Sequence, residues 1–136
     1  MPAGGSKSAA APSRSSAGGS VCHGLHLLVK HAESRKPFSW REKDKRILLS
    51  KENAKITIEK IRGKIISEAQ KAGGGPTALE ATFRARAAKR SDCSSAQRGG
   101  DLGSFPRGKM QKPFERAAFS LKPKEMSGTV DTDSGY

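Results

Sequence analysis

The chain of 136 residues has no long hydrophobic run. Nowhere do apolar residues continue over the roughly 18 positions that a membrane helix needs, nor over the roughly seven of a secretory signal near the amino terminus. Neither membrane insertion nor secretion is supported, and a cytosolic or nuclear protein is expected. Cysteine is scarce, with only Cys22 and Cys93 far apart in the chain, so a disulfide scaffold is excluded and both are expected as reduced thiols. Acidic residues are half as many as basic ones, 13 against 26, and the formal net charge of +13 predicts attraction to phosphate groups. The sign alone does not choose between nucleic acid and phosphorylated protein. Aromatic residues make up 5% of the chain, which leaves few rings for stacking bases and weighs against nucleic acid. Large apolar side chains are nearly absent from residues 1–20, where Gly, Ala and Ser predominate and Lys7 and Arg14 are the only charges. Such a segment cannot offset its ordering entropy, so a disordered tail is expected before a single domain over 21–136.

What remains is patterned enough to place elements. Leu25 to His31 is an almost continuous apolar run, broken by His26 and Lys30, and predicts a strand in the middle of a sheet. Ser34 to Arg46 crowds Arg and Lys around Pro37 without helical or alternating period, which predicts an exposed basic loop. From Ser50, residues Ala54, Ile58, Ile61, Ile65 and Ala69 recur at helical spacing, with Ser50 as cap and Glu52 in the first turn. Gly73-Gly74-Gly75-Pro76 ends that helix. Thr77 with Glu80 reads as a capping box for a second helix, which carries Leu79, Phe83 and Ala87 on one face and runs to about Arg90. Asp101 to Phe105 suits a short strand after a glycine turn, and Pro113 suits the start of a third helix ending near Leu121. Thr129 to Thr132 reads as the start of a further strand, followed by the Asp133-Ser134-Gly135 turn.

The chemistry-bearing residues concentrate between Ser91 and Phe114. Ser91-Asp92-Cys93-Ser94-Ser95-Ala96, then Gly99-Gly100-Asp101-Leu102-Gly103, then Met110-Gln111-Lys112-Pro113-Phe114 combine a polarisable thiol, a glycine turn into a strand and an apolar pair opening a helix. Taken singly, each has a plain structural reading. Cys93 would be a small buried hydrophobe, His26 a core histidine, Met110 and Phe114 helix contacts, and Lys30, Arg35 and Lys36 a solvated loop. Metal binding is not expected: Cys22, His23, His26 and His31 lack a paired cysteine knuckle, and alternation along a strand would point them to opposite faces. The glycines match neither a Walker loop nor a dinucleotide fingerprint.

Together with Leu25-His26-Leu27-Leu28-Val29-Lys30-His31, these strings resemble the parvulin peptidyl-prolyl cis/trans isomerases, in particular the phosphate-directed Pin-type class. The resemblance runs over about Leu25 to Gly135. It implies an α+β, parvulin-like (FKBP-like) fold with a small antiparallel sheet flanked by helices. It implies a proline pocket at Leu102, Met110, Gln111 and Phe114, catalytic groups at Cys93, His26 and Ser134, and selection of phosphoserine or phosphothreonine before proline by Lys30, Arg35 and Lys36. Lys36 stands where the family usually has a second arginine; it keeps the charge without the bidentate fork, so a weaker phosphate preference is expected. Such catalysis lowers the roughly 18–20 kcal/mol barrier to amide rotation and needs no cofactor or metal. Gly24 and Leu25 replace a small residue and a serine of the family pattern, and no WW domain is expected before the catalytic part. In the family the Asp-Ser-Gly turn leads into a central final strand with a second interior histidine; the chain reads to Tyr136, so a domain lacking that strand at its carboxyl end is expected. The expected partners are phosphorylated Ser/Thr-Pro proteins, met by a monomer. The alternatives are a catalytically impaired phosphoSer/Thr-Pro binding module, or a basic-tailed parvulin that touches nucleic acid.

Overall fold

A computed structural model describes residues 21–122 and 125–136, and the backbone of Ser13–Arg14. The tail expected over 1–20 otherwise lies outside the described residues. In chain order the elements are β1 (Ser13–Arg14), β2 (Val21–Leu25), β3 (Phe38–Ser39), β4 (Glu42–Arg46), α1 (Lys51–Lys71), α2 (Gly75–Arg90), a 3₁₀ turn (Ser94–Arg98), β5 (Asp101–Pro106) and α3 (Lys112–Ser120). β1, β2 and β5 form one antiparallel sheet with β2 in the middle, and β3 and β4 form a separate hairpin. The arrangement is the α+β one expected from the sequence. No helix among the described residues is long and apolar enough to cross a membrane.

The strand expected over Leu25–His31 lies earlier, at Val21–Leu25. Residues 26–31 stay extended but, among the described residues, have no neighbouring strand to pair with along their length. Their alternation nevertheless sorts side chains between two faces. Leu25, Leu27 and Val29 join Ile58, Ile65 and Phe83 in the core under α1 and α2. Leu28 and Lys30, with His26, face the cavity described below. The face turned to the core is apolar throughout, while the half-buried cavity face carries His26 and Lys30, the two residues that break the apolar run. Cys22, Phe105, Phe114 and Phe119 make a second core under α3.

Helix α1 begins as its sequence suggests, with the Ser50 side chain accepting the Asn53 N–H. Helix α2 does not use the expected capping box: it starts at Gly75 with Pro76 in the first turn, and Thr77 lies inside the helix. Proline needs no N–H partner there and its fixed φ is already helical, so it takes the opening position ahead of Thr77. At the other end, the Arg41 guanidinium donates to the carbonyls of Ala88 at 2.6 Å and Ser91 at 3.2 Å, occupying acceptors that a helix terminus leaves free. The basic loop expected over Ser34–Arg46 contains the β3–β4 hairpin. All five residues of β4 are exposed and β3 buries only Ser39, so the pair generates no alternating apolar pattern. The further strand expected at Thr129–Thr132 is reduced to one bridge between Thr132 and Gly135. At Tyr136 the chain pairs with Val29, its N–H donating to the Val29 carbonyl and its carbonyl accepting the Val29 N–H.

Gly100 seats the glycine turn against the extended run. It has φ +83°, its carbonyl accepts the His26 N–H at 2.9 Å, and a Cβ there would stand 2.4 Å from the His26 carbonyl oxygen. Gly100→Ala is therefore expected to cost more than the roughly 1–2 kcal/mol of a left-handed non-glycine residue. Urea unfolding indistinguishable from the parent's would refute that seat.

Candidate active site

The extended run His26–Lys30 carries one wall of the site because its backbone is satisfied by the loop after α2. Ser91 Oγ accepts the Leu28 N–H at 3.0 Å, the Asp92 N–H donates to the Leu28 carbonyl at 2.8 Å, and Asp92 Oδ2 accepts the Lys30 N–H at 3.0 Å. Ser91 and Asp92 are buried, as groups bridging two backbone segments should be. Cys93 follows directly and stands half-buried at the rim of the cavity, with its N–H 3.4 Å from Ser91 Oγ.

On the opposite wall the strand ladder is irregular. Gly24 faces Gly103 but Leu25 faces Asp101, so Leu102 is the extra residue of a bulge and lines the cavity instead of joining the ladder. Asp101 fixes this bend: its Oδ1 accepts the Gly103 N–H at 2.7 Å and lies 2.7 Å from His23 Nε2, while Oδ2 lies 3.6 Å from Arg84. Burial pushes the Asp101 carboxyl up, but the Gly103 N–H, His23 and Arg84 outweigh it and hold the group below its ordinary range.

The resulting cavity has a volume of about 470 Å³. Its apolar part is Leu102, Met110 and Phe114 with Val130. Cys93 and His26 lie at its edge, and Gln111 and Ser134 close one side. The His26 ring is held by Ser95 Oγ, 3.1 Å from Nε2, and stands edge-on to Phe114 with centroids 5.8 Å apart. Gln111 is fixed at both ends of its amide, donating to Ser134 Oγ at 2.8 Å and accepting the Asp133 N–H at 2.9 Å. The turn that carries Ser134 is thereby tied to the start of α3.

Cations line it as well. Lys30 and Arg35 line the cavity, and the Lys30 ammonium donates to the Phe38 carbonyl at 2.7 Å. Desolvation lowers the Lys30 pKa, Asp92 and Cys93 oppose the shift, and the Lys36 charge adds to it. Lys36 itself is exposed and is not part of the cavity wall. Thus the sequence-derived residues Cys93, His26, Ser134, Leu102, Met110, Gln111, Phe114, Lys30 and Arg35 come together, and Lys36 stands outside them. Sequence reasoning missed Trp40 and Lys109, which also line the cavity. Trp40 donates from Nε1 to the Ser91 carbonyl at 3.1 Å and lies under the Arg41 guanidinium at 4.7 Å. A lone tryptophan in a polar, aperiodic segment was the available signal for it; Lys109 carries none beyond its place beside Met110.

Cys22 and the three histidines do not converge. Cys22 is buried with Sγ 4.0 Å from the Ala118 carbonyl, His23 pairs with Asp101, and His26 and His31 have separate surroundings.

Comparison with known proteins bears on this site. The sequence pattern described as the rotamase family, "PPIC-type PPIASE domain", matches residues 26–136. The peptidyl-prolyl cis-trans isomerase Pin1 of Arabidopsis thaliana is 46% identical over 112 residues, covering 81% of this chain and 85% of that protein. The peptidyl-prolyl cis-trans isomerase pin1 of Schizosaccharomyces pombe is 50% identical over 111 residues, covering 82% of this chain but 56% of the relative. Among solved structures, the peptidyl-prolyl isomerase ESS1 from Candida albicans superposes with a TM-score of 0.72 at 37% identity, over 85% of this chain and 59% of that one. The chain thus spans little more than half of the longer relatives.

The depressed Asp101 carboxyl sets the sign of a pH effect. Its stabilisation is present above the unfolded carboxyl pKa of about 3.9 and is lost as pH falls through the lower folded value. Asp101→Asn is expected to be less stable than the parent at pH 7 by about 1 kcal/mol, with the gap closing below about pH 4. Chemical unfolding at the two pH values checks this; a gap unchanged by pH would count against the charged network.

Proposed function

The chain belongs to the PPIC-type peptidyl-prolyl isomerase family, whose members are isomerases, and is of the Pin type within it; from that premise we propose that it rotates the prolyl bonds that follow phosphoserine or phosphothreonine. One observation carries the reading: an apolar wall of Leu102, Met110 and Phe114 and the cations Lys30 and Arg35 line the same cavity of about 470 Å³. A proline ring fits the first and a phosphate dianion the second. Apolar walls exclude water from the ring, and charge-assisted hydrogen bonds to the phosphate fix the peptide on its amino-terminal side.

In this reading the reaction breaks no covalent bond. Rotation removes amide resonance, so the charge separated between the carbonyl oxygen and the nitrogen is reduced, and a pocket drier than water favours the less polar twisted state. Cys93 and His26 border the reacting amide. The His26–Ser95 contact and the edge of Phe114 orient the ring, and the doubly tied Gln111 holds the Ser134 turn rigid.

Arg35 supplies a forked donor at the cavity wall, whereas Lys36 contributes charge from outside it. A peptide isomerisation assay with and without phosphate before proline tests the reading directly. The parent is expected to favour the phosphopeptide. Arg35→Ala should lower kcat/KM for it by roughly tenfold to a hundredfold, with the unphosphorylated peptide unchanged. Lys36→Ala should have a smaller effect, within about fivefold. Equal parental rates on both peptides would remove the phosphate claim, and phosphopeptide binding without acceleration would leave a binding module.

A further inference from the structure

Between the extended run and the basic segment the chain turns sharply at His31–Ser34. The His31 N–H donates to Ser34 Oγ at 2.9 Å and the Ser34 N–H to the His31 carbonyl at 3.0 Å. We propose that His31 is the positioning residue of the anion-binding turn: its Nδ1, 3.1 Å from the Glu33 nitrogen, locks the geometry that presents Arg35 to the cavity.

A backbone N–H can only donate, so Nδ1 must accept, and the neutral ring carries its proton on Nε2. A side-chain acceptor that takes the N–H two residues later is the arrangement of an Asx turn, here made by an imidazole. The ring is 3% exposed and packs on Tyr136 with centroids 5.8 Å apart, so it has little freedom to swing away. Its Nε2 is buried with no hydrogen-bond partner among the described residues, a costly arrangement that places no competing demand on the ring's orientation. One residue beyond the turn, the Arg35 N–H donates to the Asp133 carbonyl at 2.7 Å, so the arginine backbone is held from both sides.

The ring has one site left for a proton, and it is Nδ1. Protonation there would turn the acceptor into a donor facing the Glu33 N–H and open the turn. The surroundings resist it: burial, and then Lys51 of α1, lower the His31 pKa, against Glu33, Asp131 and Glu52. The adjoining groove also presents Arg35, Lys112 and Asp133. The turn therefore stays locked at neutral pH and opens on the acid side of the ordinary histidine range.

This role rests on the phosphate reading above, and the test separates the two. Isomerisation of the phosphorylated and unphosphorylated peptides is compared from about pH 5 to 8 for the parent, His31→Asn and His31→Leu. Asparagine can accept the same N–H, so His31→Asn should keep the parental selectivity at neutral pH. His31→Leu should raise KM for the phosphopeptide roughly fivefold, the worth of one hydrogen bond, with kcat and the unphosphorylated peptide unchanged. Parent and His31→Asn share the phosphate's own titration near about pH 6, so a steeper acid loss of selectivity in the parent isolates the imidazole. If His31→Leu does not fold, those two profiles decide, and superimposable profiles overturn the proposal. Parental selectivity and KM in a folded His31→Leu overturn it as well, leaving the phosphate reading intact. A parent indifferent to phosphate removes both.

Discussion

The backbone of residues 26–30 is the constraint on which the rest of the molecule depends. A buried extended segment must pair its N–H and carbonyl groups, and among the described residues a ladder partner, β5, runs only beside the stretch before it, Val21–Leu25. The missing ladder is replaced piece by piece: the Gly100 carbonyl for His26, Ser91 Oγ and the Asp92 N–H for Leu28, Tyr136 for Val29, and the Asp92 carboxylate for Lys30. The loop that supplies three of these partners continues into Cys93, so the requirement that buries Ser91 and Asp92 also delivers a thiol to the cavity rim. Structure and site are here the same set of hydrogen bonds.

That coupling explains how a chain of net charge +13 keeps a defined cavity among so many cations. The cations near it are tied through their surroundings. Lys30 is fixed at its N–H by Asp92 and at its ammonium by the Phe38 carbonyl, and Arg41 is spent on the end of α2. Arg35 is anchored through its backbone to Asp133 and lines the cavity with its side chain. Position, more than number, distinguishes it from the lysines and arginines of the exposed hairpin.

How far the sequence discloses this differs by element. Helix α1 is legible because Ala54, Ile58, Ile65 and Ala69 are buried at the spacing of its period and Ser50 caps it locally. The start of α2 is not, because two competing local signals, Pro76 and Thr77, stand next to each other and the proline takes the opening turn. The β3–β4 hairpin is illegible since a strand with every residue exposed leaves no alternation. The cavity is legible where chemistry is local, in the Ser91–Cys93 and Met110–Phe114 strings. Trp40 stands out only as a lone tryptophan in a polar segment, because its role depends on the Ser91 carbonyl 51 positions away. Lys36 follows the opposite course: next to Arg35 in sequence, it is exposed and does not line the cavity.

The bulge at Leu102 shows why a small sheet suffices for such a site. A regular ladder would continue to alternate side chains between the two faces, and Leu102 would have to share its placement with the pairing of its neighbours. One extra residue frees it, and the cost is confined to a local kink that Asp101 stabilises through Gly103, His23 and Arg84. The apolar wall is thus held by a carboxylate network whose members, Asp101, His23 and Arg84, do not line the cavity. That separation makes the bend of the wall independent of Lys30 and Arg35.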